Sequence, residues 1–213
     1  MFVKDRMTRD PYTIQVSASI NTLVGLMKEK GLRKVPVLEG EKLVGIVTDR
    51  DIERVSPSKA TSLSVYEINY LLSKITVADA MVREVITCKP DDYIEDAALV
   101  MREHRINSLL VVENGKLVGI VTDSDLFDAL IDMMGGRTKG NKFVLRVPNE
   151  PGVLTRVSRT IASQGTNISR FTMTDAGETA TLYVITDPGD DIVKTREALE
   201  AEGFEIESLI VKK

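Results

Sequence analysis

The sequence holds a single cysteine and a single histidine in 213 residues, and both scarcities exclude chemistry. With Cys88 alone no internal disulfide can form, which fits a reducing compartment. With His104 alone, most zinc sites and every catalytic dyad or triad that needs a second histidine are excluded. No apolar run approaches the roughly 20 residues that span a bilayer. The N-terminal MFVKDRMTRD carries charges where a signal peptide needs an apolar core. Positive charge is not in excess either: 28 Lys and Arg stand against 32 Asp and Glu, a net charge of −4. Charge alone therefore gives no general affinity for nucleic acid or an anionic membrane. What is present is an ordinary globular composition, 43% hydrophobic and 28% charged. A cytoplasmic location is expected, in one large or two modest domains.

Self-similarity at a fixed period organises the first two thirds. Shifted by 74 residues, Val3–Val55 falls on Val77–Ala129 without a gap, at about one identity in three. The clearest match is KLVGIVTDRDI (Lys42–Ile52) on KLVGIVTDSDL (Lys116–Leu126). In each copy a short extended piece near Thr13 or Thr87 precedes a helix. Ile20, Leu23, Val24 and Met27 give that helix one apolar face, repeated by Ile94, Ala97, Ala98 and Met101. Gly31 is expected to end the first. Two strands joined by turn residues follow, Val35–Leu38 with Leu43–Val47 and Ser108–Val112 with Leu117–Val121. A further helix starts at Asp49 or Asp123. Neither copy buries much surface alone, so the two are expected to pack face to face.

Between the copies, SPSKATS (Ser56–Ser62) reads as a loop, and Val65, Ile68, Leu71 and Leu72 as one face of a connecting helix. Met133–Met134 is expected to finish a buried helix face. GGRTKG (Gly135–Gly140) reads as a flexible linker. The expected organisation is 1–58 and 76–134 for the two copies, 59–75 for the connecting helix, 135–140 for the linker and 141–213 for a last domain.

The shared GIVTDRD and GIVTDSD segments are the strongest candidates for binding. Each strand delivers a threonine, Thr48 or Thr122, to a helix start, with Asp51 or Asp125 three residues on. A hydroxyl and free helix amides suit a phosphate, and a carboxylate can accept from both hydroxyls of a ribose. The same spacing is also a helix capping box, and the residues alone leave both readings open. Paired carboxylates such as Asp49/Asp51, Asp123/Asp125, Asp91–Asp92 and Asp190–Asp191 suit helix starts. None has EF-hand spacing, so no dedicated metal site is expected.

Two copies ending in G-h-h-T-x-x-D, each preceded by an apolar strand, resemble a tandem pair of CBS (cystathionine-β-synthase) domains over about Met1–Ile131. The resemblance implies a pair of βαββα repeats with clefts for AMP, ADP, ATP, NAD or S-adenosyl compounds; a magnesium ion could accompany ATP without a metal site of the protein's own. It places threonine on phosphate and aspartate on ribose, with Thr13 and Thr87 lining the base pocket. The copies differ near the phosphates: Arg33–Lys34 correspond to Asn107–Ser108, and Arg50 to Ser124. Two unequal sites follow, or else a solvated charged edge. The expected nucleotide set is Thr13, Arg33, Lys34, Val35, Pro36, Thr48, Arg50 and Asp51, with Thr87, Asn107, Ser108, Thr122 and Asp125. His104, beside Arg102 and Arg105, is read first as a surface residue and second as a phosphate contact.

From Lys142 the order is strand (Phe143–Val147), helix (Gly152–Ser163), strand (Asn167–Thr174), strand (Thr179–Thr186), helix (Asp190–Glu202) and strand (Phe204–Val211), a ferredoxin-like βαββαβ unit. Pro151 is expected at the first helical position. NEPGVLTRVSRTIASQGTNI (Asn149–Ile168) resembles an ACT domain, a regulatory module that often binds amino acids. The resemblance implies ligand contacts at Asn149, Glu150, Pro151, Gly152 and Leu154, and at Asn167 and Ile168. Asn149 stands where many relatives carry Asp, and a domain that only dimerises is the other reading. The whole chain, α/β in its first part and α+β in its last, resembles bacterial acetoin-utilisation regulatory proteins. That implies a non-catalytic, homodimeric sensor needing no cofactor and acting on a regulated enzyme. An amino-acid sensor with vestigial nucleotide clefts, and a nucleotide hydrolase, are the alternatives; no nucleophile and base can be assembled for the latter.

Overall fold

The computed structural model describes residues 1–56, 64–189 and 191–212. They form two compact units, Met1–Leu126 and Phe127–Lys213. The first opens with a 3-10 turn (Val3–Asp5), β1 (Thr8–Arg9), β2 (Ile14–Gln15), α1 (Ile20–Lys30), β3 (Lys34–Glu39), β4 (Lys42–Thr48) and α2 (Asp49–Val55). The loop expected at SPSKATS lies, from Pro57 onward, outside the described residues. Next come α3 (Val65–Lys74) and α4 (Val77–Ala80), then β5 (Thr87–Cys88), α5 (Ile94–His104), β6 (Ser108–Glu113), β7 (Lys116–Thr122) and α6 (Asp123–Met133).

The duplication is visible in the registers. Lys34 opposes Thr48 across β3 and β4, and Ser108 opposes Thr122 across β6 and β7, each antiparallel pair slipping at the same place. β2 adds in parallel to β3 and β5 to β6. Ser19 caps α1 by accepting from Thr22 N at 3.1 Å, and Gly31 ends it at φ 65. α5 ends at the corresponding position on Arg105, φ 54, a left-handed conformation that costs a non-glycine residue energy. α1, β3 and β4 enclose Ile20, Leu23, Val35, Val37 and Val47, and Leu72 of α3 joins that core.

The repeats are tied together by exchanging their first segments. β1, at the start of repeat one, pairs with β7 of repeat two, Thr8 opposite Ile120 and Arg9 opposite Gly119. The equivalent segment of repeat two bridges back, Val82 opposite Ile46, with N–H···O distances of 3.0 and 2.8 Å. The glycine of KLVGIVT makes this crossing possible. A Cβ on Gly45 would stand 2.8 Å from both Met81 Sδ and the Val82 carbonyl oxygen; one on Gly119 would stand 2.5 Å from Met7 Sδ.

In α6 only Ala129 is buried, and Met133 is 46% exposed. Met133–Met134 therefore does not finish a buried face: Met133, one turn past Ala129, projects beyond the covered stretch. The second unit continues with β8 (Gly140–Pro148), α7 (Val153–Ser163), β9 (Ile168–Ala176), β10 (Thr179–Thr186), α8 (Ile192–Ala201) and β11 (Glu205–Lys212). Its sheet is antiparallel throughout in the order β11-β8-β10-β9, the ferredoxin-like arrangement. Phe143, Leu145 and Val147 alternate along β8 and meet Val157 and Ile161 of α7 and Leu199 of α8.

Gly152 takes φ 91 and caps α7, so the helix starts at Val153 and Pro151 belongs to the turn before it. A residue at positive φ cannot continue into a helical first turn. Asp191 caps α8 by accepting from Lys194 N at 3.2 Å, while Asp190 lies outside the described residues. GGRTKG is packed rather than loose. Arg137 pairs with Asp128 and with Asp132, Gly135 abuts Ile185, and Gly140 lies against the Thr186 carbonyl. Among the described residues no helix is long and apolar enough to cross a membrane.

Candidate functional site

Both copies of the T-x-x-D segment form complete capping boxes. Asp51 Oδ2 accepts from Thr48 N at 3.0 Å and from Thr48 Oγ1 at 2.7 Å. Asp125 Oδ2 accepts from Thr122 N and Thr122 Oγ1, both at 2.7 Å. Each aspartate N–H returns a long bond of 3.4 Å to its threonine hydroxyl. The capping reading is thus realised in both repeats. It uses one oxygen of each carboxylate, and the other oxygen of Asp51 is paired with Arg54 Nη2 at 3.3 Å.

Both boxes border a cleft of about 1230 Å³ whose walls come from the two repeats. Of the residues expected there, Arg33, Lys34, Pro36, Thr48, Arg50 and Asp51 line it from repeat one, and Asn107, Ser108 and Thr122 from repeat two. Val35 is not in the wall: it faces the opposite side of β3 from its neighbours and is wholly buried in the core. Thr13, Thr87 and Asp125 also fall outside the lining, although Asp125 adjoins the wall residues Thr122, Asp123 and Ser124. His104 is exposed.

The same cleft holds residues that sequence reasoning missed. Thr8–Tyr12 and, from the equivalent segment of repeat two, Val82, Glu84, Val85 and Ile86 line it. The Tyr12 ring lies there with Lys30 Nζ 5.4 Å from its centroid. A faint signal existed, since Arg9 and Arg83 recur at the 74-residue shift, but two-residue strands carry no periodicity to read.

The centre of the cleft is asymmetric. Lys34 Nζ donates across to Asn107, to its carbonyl oxygen at 3.1 Å and its Oδ1 at 2.9 Å. Asn107 O also accepts from Asp123 N at 3.2 Å, so Lys34 of repeat one reaches the start of α6. Burial lowers the Lys34 pKa, while Asp123, Asp49 and Asp125 pull it back up. The residue equivalent to Lys34 is Ser108, which has no charge to send the other way.

In the second unit, Asn149, Glu150, Pro151 and Gly152 are all exposed in the turn before α7, and Leu154 is exposed on its first turn. Asn149 Nδ2 donates to Gly177 O at 3.0 Å, and Asn167 Nδ2 to Asp187 Oδ2 at 2.8 Å. Ile168 is half-buried against the core. Thr166 is buried with its hydroxyl 3.2 Å from that of Thr195. Among the described residues no three His, Cys, Asp or Glu side chains gather as a metal-binding set. Burial, with Asp92 nearby, pushes the Cys88 thiol up to about 11.

The CBS domain family model matches residues 3–58 and 77–132, more than half of the chain. The chain belongs to the CBS-domain family. An ACT domain model matches residues 143–204. The CBS domain-containing protein YhcV of Bacillus subtilis is 30% identical over 139 residues, 65% of this chain and 90% of YhcV. The inosine-5′-monophosphate dehydrogenase of Thermoplasma acidophilum is 35% identical over 119 residues, 55% of this chain. The match spans only 21% of that enzyme.

Three solved structures superpose over the CBS pair. A protein assigned to acetoin utilization (AcuB) from Vibrio cholerae has a TM-score of 0.53 at 30% identity, covering 64% of this chain and 95% of its own. CBSX2 in complex with AMP has a TM-score of 0.51 at 28% identity, covering 62% and 96%. The CBS domain pair of protein MJ0100, in complex with 5′-methylthioadenosine and S-adenosyl-L-methionine, has a TM-score of 0.52 at 27% identity, covering 65% and 98%.

Proposed function

We propose that this chain is a non-catalytic regulatory sensor whose CBS pair binds adenosine nucleotides. AMP, ADP and ATP are the principal ligands, with NAD and S-adenosyl compounds as further members of the class. The observation that carries the reading is a cleft walled by both repeats, with Thr48 and Asp51 of one box, Thr122 of the other, and Arg33, Lys34 and Arg50 among its walls. Related pairs that hold AMP, or S-adenosylmethionine with methylthioadenosine, support the choice of ligand. Apolar Pro36, Ile46, Leu110 and Ile120 suit a purine, the box carboxylates suit ribose hydroxyls, and the cations suit phosphate.

Binding acts by population shift, because a ligand moves an equilibrium only by its differential affinity for two states. α6 carries Asp123–Asp125 at its start and continues to Met133 in the second unit, where Arg137 clasps Asp128 and Asp132. A change at its first turn is therefore passed along one helix. The ACT domain serves dimerisation or amino-acid sensing, and the regulated partner is an enzyme in the cytoplasm.

Calorimetric titration with AMP, ADP, ATP, S-adenosylmethionine and a set of amino acids tests the reading. Micromolar binding of an adenosine compound is expected. Binding of amino acids with no adenosine compound bound would overturn it in favour of an ACT sensor.

A further inference from the structure

Each repeat ties the start of its last helix to the start of its hairpin by one backbone bond. In repeat one Asp49 N donates to Arg33 O at 3.0 Å, and in repeat two Asp123 N donates to Asn107 O at 3.2 Å. The two pairs are equivalent at the 74-residue shift. The first amides of a helix have no partner within it, so such a bond fixes where the helix begins.

The second tie is also reached from the other repeat. Lys34 Nζ donates to the same Asn107 carbonyl at 3.1 Å and to Asn107 Oδ1 at 2.9 Å. Lys34 follows Arg33, whose carbonyl holds α2, so one residue stands at both helix starts. Asp49 and Asp123, the first residues of the two helices, are both among the carboxylates that favour its charged form. Repeat two sends no cation back, since Ser108 holds the equivalent position. Another side-chain bond between the repeats, Lys116 Nζ to Glu41 Oε2 at 3.3 Å, is exposed and joins the turn ends of the two hairpins, away from any helix start.

Resting on the nucleotide-sensor reading for what enters the cleft, we propose that Lys34 is a strap between the repeats, a positioning residue that makes the start of α6 answer to the separation of the cleft walls. A change in that separation loads the bonds from Lys34 to Asn107. Through the shared carbonyl it then loads the Asp123 N–H that begins α6. Two charge-assisted bonds to one residue resist such a change more than neutral contacts do. The response is one-sided. α6 runs from Asp123 to Met133, out of the first unit into the second, whereas α2 ends at Val55 and its tie to Arg33 stays within its own repeat.

Hydrogen–deuterium exchange of the full chain tests the strap first without ligand. Lys34→Met is expected to speed exchange at Asp123–Leu126 about fivefold, while Asp49–Ile52 stays within about twofold. Lys34→Arg, which keeps a charged donor, is expected to restore most of the protection. Asn107→Ala, which removes Oδ1 and keeps the carbonyl, is expected to give a smaller rise at the same amides. Glu41→Ala, which breaks the hairpin-end bond, is expected to change neither helix start. An equal rise at both starts is what general loosening gives, and it would overturn the proposal. So would no rise at α6, or a rise with Glu41→Ala as large as with Lys34→Met. The second arm adds saturating AMP. Exchange along Phe127–Met133 is expected to slow in wild type and to stay unchanged in saturated Lys34→Met; slowing that survives in the variant would overturn the coupling. No adenosine compound bound by wild type would overturn the nucleotide reading alone, because the first arm decides the strap without ligand.

Discussion

Repeats one and two share the strand KLVGIVT, the capping box and the strand registers, yet their surroundings have diverged. Repeat one has Arg54 on its aspartate and sends Lys34 across the cleft. Repeat two has Asp128 and Ser108 at those places, and Asp128 pairs with Arg137 instead. The difference teaches that a duplicated motif keeps what holds the fold, while the residues one turn away, Arg54 and Asp128, are free to diverge. A threonine and an aspartate that cap a helix are needed in both copies. The arginine beside the aspartate occurs in repeat one alone.

The comparison can be broken most forcefully at the shared glycines. Gly45→Ala is expected to destabilise by about 3 kcal/mol, because its Cβ meets the backbone oxygen of Val82 as well as Met81. Gly119→Ala is expected to cost only about 1–2 kcal/mol, because its closest neighbour is the flexible end of Met7, with Thr8 O at 3.1 Å. Denaturant unfolding measures both. Equal costs would mean that the two crossings are tighter in symmetry than these contacts imply.

The capping boxes should behave alike. Thr48→Val and Thr122→Val are each expected to cost about 1 kcal/mol, lowering the midpoint of thermal unfolding by about 2–4 °C. A much larger loss at one would show that its box carries a structural duty that the other lacks. Replacing the central cation sharpens the contrast further. Lys34→Met is expected to weaken AMP binding roughly fivefold, a loss of about 1 kcal/mol, and calorimetry that finds no change would remove Lys34 from the site.

A last contrast concerns Cys88, which stands where repeat one has Ile14. With its thiol pushed up to about 11 by burial, it is on the order of a hundredfold less reactive at pH 8 than a free thiol. Labelling should rise about tenfold per pH unit towards pH 11, as the thiolate fraction does. Fast labelling of folded protein at pH 8 would show that β5 is not packed as its counterpart β2 is.

Much of this was legible in the sequence. The gapless repeat, the helix faces such as Ile20, Leu23 and Met27, and the βαββαβ order of the last domain all write their periodicity into the chain. So did the boxes at Thr48 and Thr122. The exchange of first segments was not legible, because Thr8–Arg9 is a two-residue, exposed strand whose partner lies more than a hundred residues away. The lining role of Tyr12 and Ile86 follows from that exchange and was missed with it. Val35 was misplaced for a different reason: its apolar character is the same whether it faces purine or core, and only strand alternation as built decides. GGRTKG misled by composition, since glycines that permit flexibility also permit the close approach of Gly140 to Thr186.

The most direct test of the account is hydrogen–deuterium exchange of the full chain with and without saturating AMP. The account predicts added protection at the amides of the cleft wall, in Arg33–Lys34, Asn107–Ser108 and the helix starts after Thr48 and Thr122. No added protection at any of these amides would contradict it.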